Sequence, residues 1–204
     1  MNSTASKQII AVLLALQSAR LAIAASQDDV RPANAIGSAT APVTIEFFSD
    51  LQCPPCAKYE PMVKSIRAEF GDKVRLVIRQ FPLKTHEHAE LAAWAAEAAA
   101  NQHKFWEMAE ALYKTQWMWG KAPAPRVIIA DQAKSIGLDV DKFEKDIDGD
   151  QVRERVAADQ AHGQSIGVKT TPTVVINGNN VPNSEFNESG FRTAIKAALD
   201  KTGR

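Results

Sequence analysis

From Val43 to Phe48 the chain is apolar at every position except Thr44 and Glu46, which predicts a buried strand. Cys56, Tyr59, Val63, Ile66 and Phe70 then recur at three- and four-residue steps, the spacing of one helical face. They predict a helix from about Pro54 to Phe70, stopped by Gly71 and kinked at Pro61. Val74 to Ile78 is a second apolar run, closed by Phe81-Pro82. Strand, helix and strand at this spacing predict a parallel βαβ unit.

From about Thr85 to Gly167 the pattern is helical throughout. Leu91 to Ala100 is rich in alanine, which allows close helix packing, and Phe105, Met108, Leu112 and Trp119 lie near one face of the next helix. Lys121 to Pro125 breaks the chain, and Gly137 closes a further helix. Strand character returns at Thr173-Val174-Val175-Ile176, followed by the turn Asn177-Gly178, with Val181 as the expected start of a partner strand. A last helix carries Phe191, Ile195, Ala198 and Leu199 on one side. The expected fold class is α/β, with an all-helical block inserted into it. The expected divisions are 26–84 and 167–204 for the two parts of the α/β domain and 85–166 for the insertion.

The 204 residues carry 24 basic and 24 acidic side chains, interspersed, for a formal net charge of zero. Nothing in that pattern forms a nucleic-acid footprint, so no nucleic-acid partner is expected. Residues 1–25 contain no acid, and Lys7, the apolar run Ile9 to Leu16 and Ala22-Ile23-Ala24 follow in the order of a secretory signal peptide. The stretch is too short and interrupted to span a bilayer. Cleavage is expected after about Ala24, leaving a polar leader to about Ala41. The alternative is a retained helix packed on the body or on a partner. Export would place the chain in an oxidising, extracytoplasmic compartment such as the periplasm.

The two cysteines of the chain, Cys53 and Cys56, lie three apart at the expected strand-to-helix turn. A disulfide closing so short a loop constrains little of the unfolded chain and stabilises weakly. A helix N-terminus instead stabilises a thiolate through unpaired backbone N–H groups and the positive end of the dipole. A stabilised thiolate is both a better-populated nucleophile and a better leaving group, the chemistry of a dithiol that cycles between two redox states. Glu46 stands out as a charge in an apolar strand, either functional or facing outward. Trp117-Met118-Trp119 packs between domains or lines a groove for unfolded clients. His86 and His88 do not share a helix face, so no metal site is expected.

These features together resemble the thioredoxin superfamily, and within it the DsbA-like thiol–disulfide oxidoreductases. The resemblance is carried by Cys53-Pro54-Pro55-Cys56 at the strand–helix junction, Pro61 five residues on, Thr171-Pro172-Thr173 before the later strand, Phe105-Trp106-Glu107-Met108 and Phe81-Pro82-Leu83. It implies a thioredoxin fold with a helical insertion. Cys53 would be the exposed attacking sulfur and Cys56 the buried resolving one. It also implies a cis bond at Pro172, Thr171 pairing with an extended substrate peptide, and Glu46 as an acid near the buried cysteine. No organic cofactor is implied, because the Cys53–Cys56 disulfide carries the electrons. The expected partners are cysteine-containing secreted proteins and a membrane redox partner, and the expected state is a monomer.

The departure from the family is the central dipeptide. With Cys53 as N-cap, Pro54 and Pro55 occupy the first two helical positions, and the second position's N–H is missing. The Cys53 pKa is therefore expected below that of a free thiol but less depressed than in the strong oxidants of the family. The function expected is extracytoplasmic disulfide formation in proteins. The alternatives are a disulfide reductase or isomerase, or a non-enzymatic peptide-binding or Cu(I)-binding module.

Overall fold

The computed structural model describes residues 34–203. The signal-peptide reading of residues 1–25 lies outside them. The described strands are β1 (Ala35–Ile36), β2 (Val43–Ser49), β3 (Val74–Gln80), β4 (Thr173–Ile176) and β5 (Asn179–Asn180). The described helices are α1 (Pro54–Glu69), α2 (Ala89–Ala100), α3 (Phe105–Lys114), α4 (Gln116–Trp119), α5 (Pro125–Ser135), α6 (Val140–Ile147), α7 (Asp150–Ser165) and α8 (Glu188–Lys201). One five-stranded sheet has the order β1-β3-β2-β4-β5. The β2–β3 pair is parallel, as the βαβ pattern predicts, and the other pairs are antiparallel.

Side-chain alternation along β2 assigns the two faces of the sheet. Val43, Ile45 and Phe47 join the main core with Val63 and Ile66 of α1, Phe191 and Ile195 of α8, and both cysteines. Phe48 belongs to a second, smaller cluster with Phe81, Val168 and Val175, on the face that α7 covers. Gly163 lets α7 approach this face: a Cβ there would stand 2.9 Å from ring atoms of both Phe48 and Phe81. Those two rings meet edge to face at a centroid separation of 6.2 Å.

Helix α1 begins with proline at its first two positions, where a missing N–H breaks no intrahelical bond and the fixed φ suits the helix. It runs on through Pro61 as one assigned helix and ends before Gly71, whose φ of +55° is costly for other residues. Helices α2 to α7 lie between β3 and β4 in the chain. The alanines of α2 are buried, and Glu97 among them accepts from Arg155 Nε of α7 at 2.9 Å.

Two local expectations change. Strand β1, within the stretch read as a polar leader, pairs Ala35 with Val77 and Ile36 with Leu76 at the β3 edge. It has only two residues, too few for a periodicity to register. The partner of β4 starts at Asn179 and not at Val181, because Asn177 and Gly178 both take positive φ (47° and 79°), making a tight two-residue turn.

Candidate redox site

Cys53 caps α1 with an extended backbone (φ −78°, ψ 116°), and the Cys56 backbone N–H donates to its carbonyl at 3.0 Å. Both cysteines are present as free thiols. The Cys53 thiol is lowered from 9.0 to about 6. The largest cause is a hydrogen bond from the Cys56 side chain. Burial opposes it, and the Thr171 side chain and the Cys56 backbone N–H lower it further. The direction agrees with the expectation from the double proline, but the leading donor is the partner thiol and not the helix terminus. Burial pushes the Cys56 thiol far up, and the neighbouring Cys53 adds to the rise.

The pair is therefore asymmetric in acidity. It is much less so in exposure, since Cys53 shows 4% of its surface and Cys56 none. The expected exposed sulfur is thus nearly covered. Thr171 closes over it from the β4 side, where the Thr171–Pro172 bond is cis. As a thiol, Cys53 Sγ donates to the Thr171 carbonyl at 3.6 Å. The Thr171 hydroxyl, buried and without a hydrogen-bond partner among the described residues, favours the Cys53 thiolate. Pro172 itself is half-buried, beside Thr171, and Pro54 and Pro55 are exposed at the head of α1.

Glu46 is a correction. It was expected near the buried cysteine, and it lies on the other face of the sheet. Its parity along β2 is that of Phe48, whereas Ile45 and Phe47 face α1 and the cysteines. There Glu46 Oε1 accepts from Arg79 Nε at 2.8 Å and contacts His162 Nε2 at 2.9 Å, and Arg79 also reaches Asp159 at 3.0 Å. The charge is tolerated because Arg79 of β3 and His162 of α7 partner it, not because it serves the thiols.

The polar groups that do reach the thiols went unrecognised in the sequence. The Ser49 hydroxyl and the Asp50 backbone N–H favour the Cys56 anion, against the larger effect of burial. Ser49 Oγ also meets Tyr113 Oη of α3 at 2.5 Å. Asp50 is buried, and its carboxylate accepts from the N–H groups of Gln52 (2.7 Å) and Leu83 (2.9 Å) and bonds His86 Nδ1 (2.7 Å). Gln116 Nε2 of α4 donates to the carbonyls of Leu51 (2.7 Å) and Cys53 (3.2 Å). Glu60, one turn beyond Cys56, is 5% exposed, and burial raises its carboxyl pKa despite Lys64 at 3.3 Å. The sequence signal for Ser49, Asp50 and Glu60 is their nearness to the Cys pair. Tyr113 and Gln116 carry none, standing some sixty residues away.

The tryptophan cluster divides. Trp119 is fully buried, with its Nε1 donating to the Leu112 carbonyl at 2.9 Å, while Trp117 is 82% exposed. Trp117 borders a concavity of about 430 Å³ beside Cys53, lined also by Gln52, Pro54, His86, Gln116 and Lys121. His86 and His88 are bonded to Asp50 and to the Ala122 carbonyl. Among the described residues no cluster of three or more metal-ligating side chains occurs.

Fold and site together are those of a thioredoxin-type α/β domain with helices between its β3 and β4 and a Cys-x-x-Cys pair at the head of α1. The chain belongs to the thioredoxin family, whose Thioredoxin_4 model matches residues 30–197. A thioredoxin-like oxidoreductase from Silicibacter pomeroyi DSS-3 is similar at 26% identity and a TM-score of 0.67, over 84% of this chain and 96% of that one. BdbD from Bacillus subtilis, in its oxidised form, shares the fold at 21% identity and a TM-score of 0.71, over 85% of this chain and 96% of its own. The thiol-disulfide exchange protein α-DsbA2 from Wolbachia pipientis does so at 18% and 0.68, over 89% and 95%. A Na⁺/H⁺ antiporter NhaA 1 of Mycolicibacterium vanbaalenii is 34% identical over 145 residues, which are 70% of this chain and 23% of the antiporter. The chain thus spans about a quarter of the length of the curated relatives it matches. Among the described residues no helix is long and apolar enough to cross a membrane.

Proposed function

We propose that this protein exchanges disulfides with cysteine-containing secreted proteins through Cys53 and Cys56, and that it works as a disulfide-forming oxidase outside the cytoplasm. The observation that carries this reading is the split acidity of two thiols one helical turn apart. Cys53 is lowered to about 6, while Cys56 is pushed strongly up. A client thiolate attacks Cys53 of the oxidised pair, the Cys53–Cys56 bond breaks, and its electrons go to Cys56. A second client thiolate then attacks the client sulfur and releases Cys53 as the stable thiolate. That stability favours the reduced protein, and so favours disulfide transfer to clients.

Thr171 and Pro172 would hold the client backbone by strand addition next to Cys53. The concavity beside Trp117 would take a client side chain. No organic cofactor is needed, and a membrane redox partner would reoxidise the pair. The signal-peptide pattern of residues 1–25 supports the location, and a monomer suffices for the chemistry.

The test is the reduction potential, measured by equilibration against glutathione. A Cys53 pKa of about 6 stands between the values of roughly 3.5 for the strongest oxidant of the family and 7 for thioredoxin. A potential between about −120 and −200 mV supports the oxidase, and a value near −270 mV overturns it in favour of a reductase. N-terminal sequencing of protein from its native cell tests the export: a chain that keeps residues 1–25 counts against it.

A further inference from the structure

Release of an oxidised client requires a proton to be removed. The second client thiol must become a thiolate before its sulfur attacks the mixed disulfide at Cys53. Pro54 and Pro55 give the motif itself no ionisable side chain for that step. A histidine stands close by. Asp50, three residues before Cys53, has a fully buried side chain. Its carboxylate accepts from the backbone N–H groups of Gln52 at 2.7 Å and Leu83 at 2.9 Å, and His86 Nδ1 lies 2.7 Å from Oδ2. A carboxylate takes hydrogen bonds and gives none, so Nδ1 carries the ring proton and the neutral imidazole keeps its lone pair at Nε2. Among the described residues Nε2 has no hydrogen-bond partner, and the side chain is 26% exposed. The same ring lines the concavity of about 430 Å³ together with Gln52 and Pro54, the two chain neighbours of Cys53. Gln52 is fixed there: its Nε2 donates to the Gly120 carbonyl and its Oε1 accepts from the His88 N–H, both at 2.7 Å.

We infer that His86, oriented by Asp50, is the general base of client release, its Nε2 taking the proton of the second client thiol in the concavity beside Cys53. The thiolate so formed attacks the client sulfur. The client's own disulfide forms, the bond from that sulfur to Cys53 breaks, and its electron pair stays on Cys53 as the thiolate. The imidazolium then gives its proton to water through the exposed part of the ring. An imidazole suits this step because it takes up and releases protons near neutral pH. Asp50 beside the ring favours the imidazolium, and Lys121, another lining residue of the concavity, favours the incoming thiolate. His88 is engaged elsewhere, at the Ala122 carbonyl.

The role rests on the exchange reading, and its test separates the two. Oxidised glutathione converts Cys56→Ser protein, which cannot resolve, to the Cys53–glutathione mixed disulfide. Mass spectrometry then follows the return of free Cys53 on addition of two thiols of similar size, the weakly acidic ethanethiol and the more acidic trifluoroethanethiol. His86→Asn is made in the same background, because its amide can still donate to Asp50. At about pH 7 the variant should be slower with ethanethiol by at least about tenfold, a modest share of what a positioned base supplies. With trifluoroethanethiol, which brings its own thiolate, the loss should stay under about twofold. The ethanethiol deficit should shrink as pH rises and that thiol ionises in solution. Equal rates with ethanethiol in the two proteins overturn the role. Equal slowing with both thiols marks a merely structural change and overturns it as well. A protein that takes up no glutathione at Cys53 overturns the exchange reading itself, and the role of His86 with it.

Discussion

The two faces of strand β2 differ in kind. One packs Ile45 and Phe47 against α1 and α8, with the buried cysteine among apolar neighbours. The other carries Glu46, with Arg79, His162 and Asp159 gathered around it, beside the Phe48–Phe81 pair. Both are covered, yet only one gathers a cluster of charged side chains. Burial on the apolar face is what pushes the Cys56 thiol up. On the other face, charge is tolerated because each group has a partner and the site is partly open, with Arg79 31% and His162 39% exposed. A shared strand therefore need not mean a shared electrostatic environment, and a charge next to a redox strand belongs to that chemistry only if its parity is right.

The largest expected effect strikes the first face alone. Cys53→Ser should abolish exchange with a thiol substrate while leaving the thermal transition of the reduced protein in place. Retained exchange would break the assignment of the chemistry to this face. A second test concerns pH. The folded Cys53 pKa of about 6 lies below its ordinary 9.0, so the contribution of this thiolate to the stability of the reduced protein is full above pH 9 and is lost as pH falls through 6. Three units correspond to at most about 4 kcal/mol. Denaturation of the reduced form should show stability rising from pH 6 to 9 relative to the disulfide form. Over the same range the midpoint potential should change by about 30 mV per pH unit, half the slope found when both thiols are protonated. A slope near 59 mV would contradict the low pKa.

The second face is probed by Gly163→Ala. The new methyl would stand 2.9 Å from both aromatic rings, and the expected cost is about 1–3 kcal/mol, read as a lower denaturation midpoint with an unchanged Cys53 pKa. The smallest effect is expected from Glu46→Gln. It weakens contacts with Arg79 and His162 for about 1 kcal/mol or less and leaves the iodoacetamide reactivity profile of Cys53 where it was. A shift of that profile by a full pH unit would return Glu46 to the redox site.

Much of this was legible in the chain. The apolar run of β2, the helix stopped at Gly71 and the strand Thr173–Ile176 follow from periods and breakers that act locally. The Cys pair at the strand–helix turn is equally local. The contacts that shape the site are not. Asp50 reaches His86 across 36 residues, Ser49 reaches Tyr113 across 64, and Gln116 reaches Leu51 across 65. No spacing rule links such positions. The face of Glu46 was half legible: parity set it opposite Ile45 and Phe47, but with both faces covered nothing local told which one α1 would take. The exposure of Cys53 was missed for the same reason, since Thr171 covers it from 118 residues away.

The hydrogen bonds of Gln116 bear on modularity. Its one amide nitrogen holds the carbonyls of Leu51 and Cys53, the turn on which the redox pair is mounted, and it comes from the helices between β3 and β4. Those helices are thus no detachable ornament on a minimal thioredoxin. A shortened chain that joined β3 directly to β4 would keep both cysteines and lose the brace beneath them, together with the tyrosine that meets Ser49. Transplanting the Cys-Pro-Pro-Cys motif into a smaller scaffold would carry the letters without the support, and what this insertion contributes would have to travel with it.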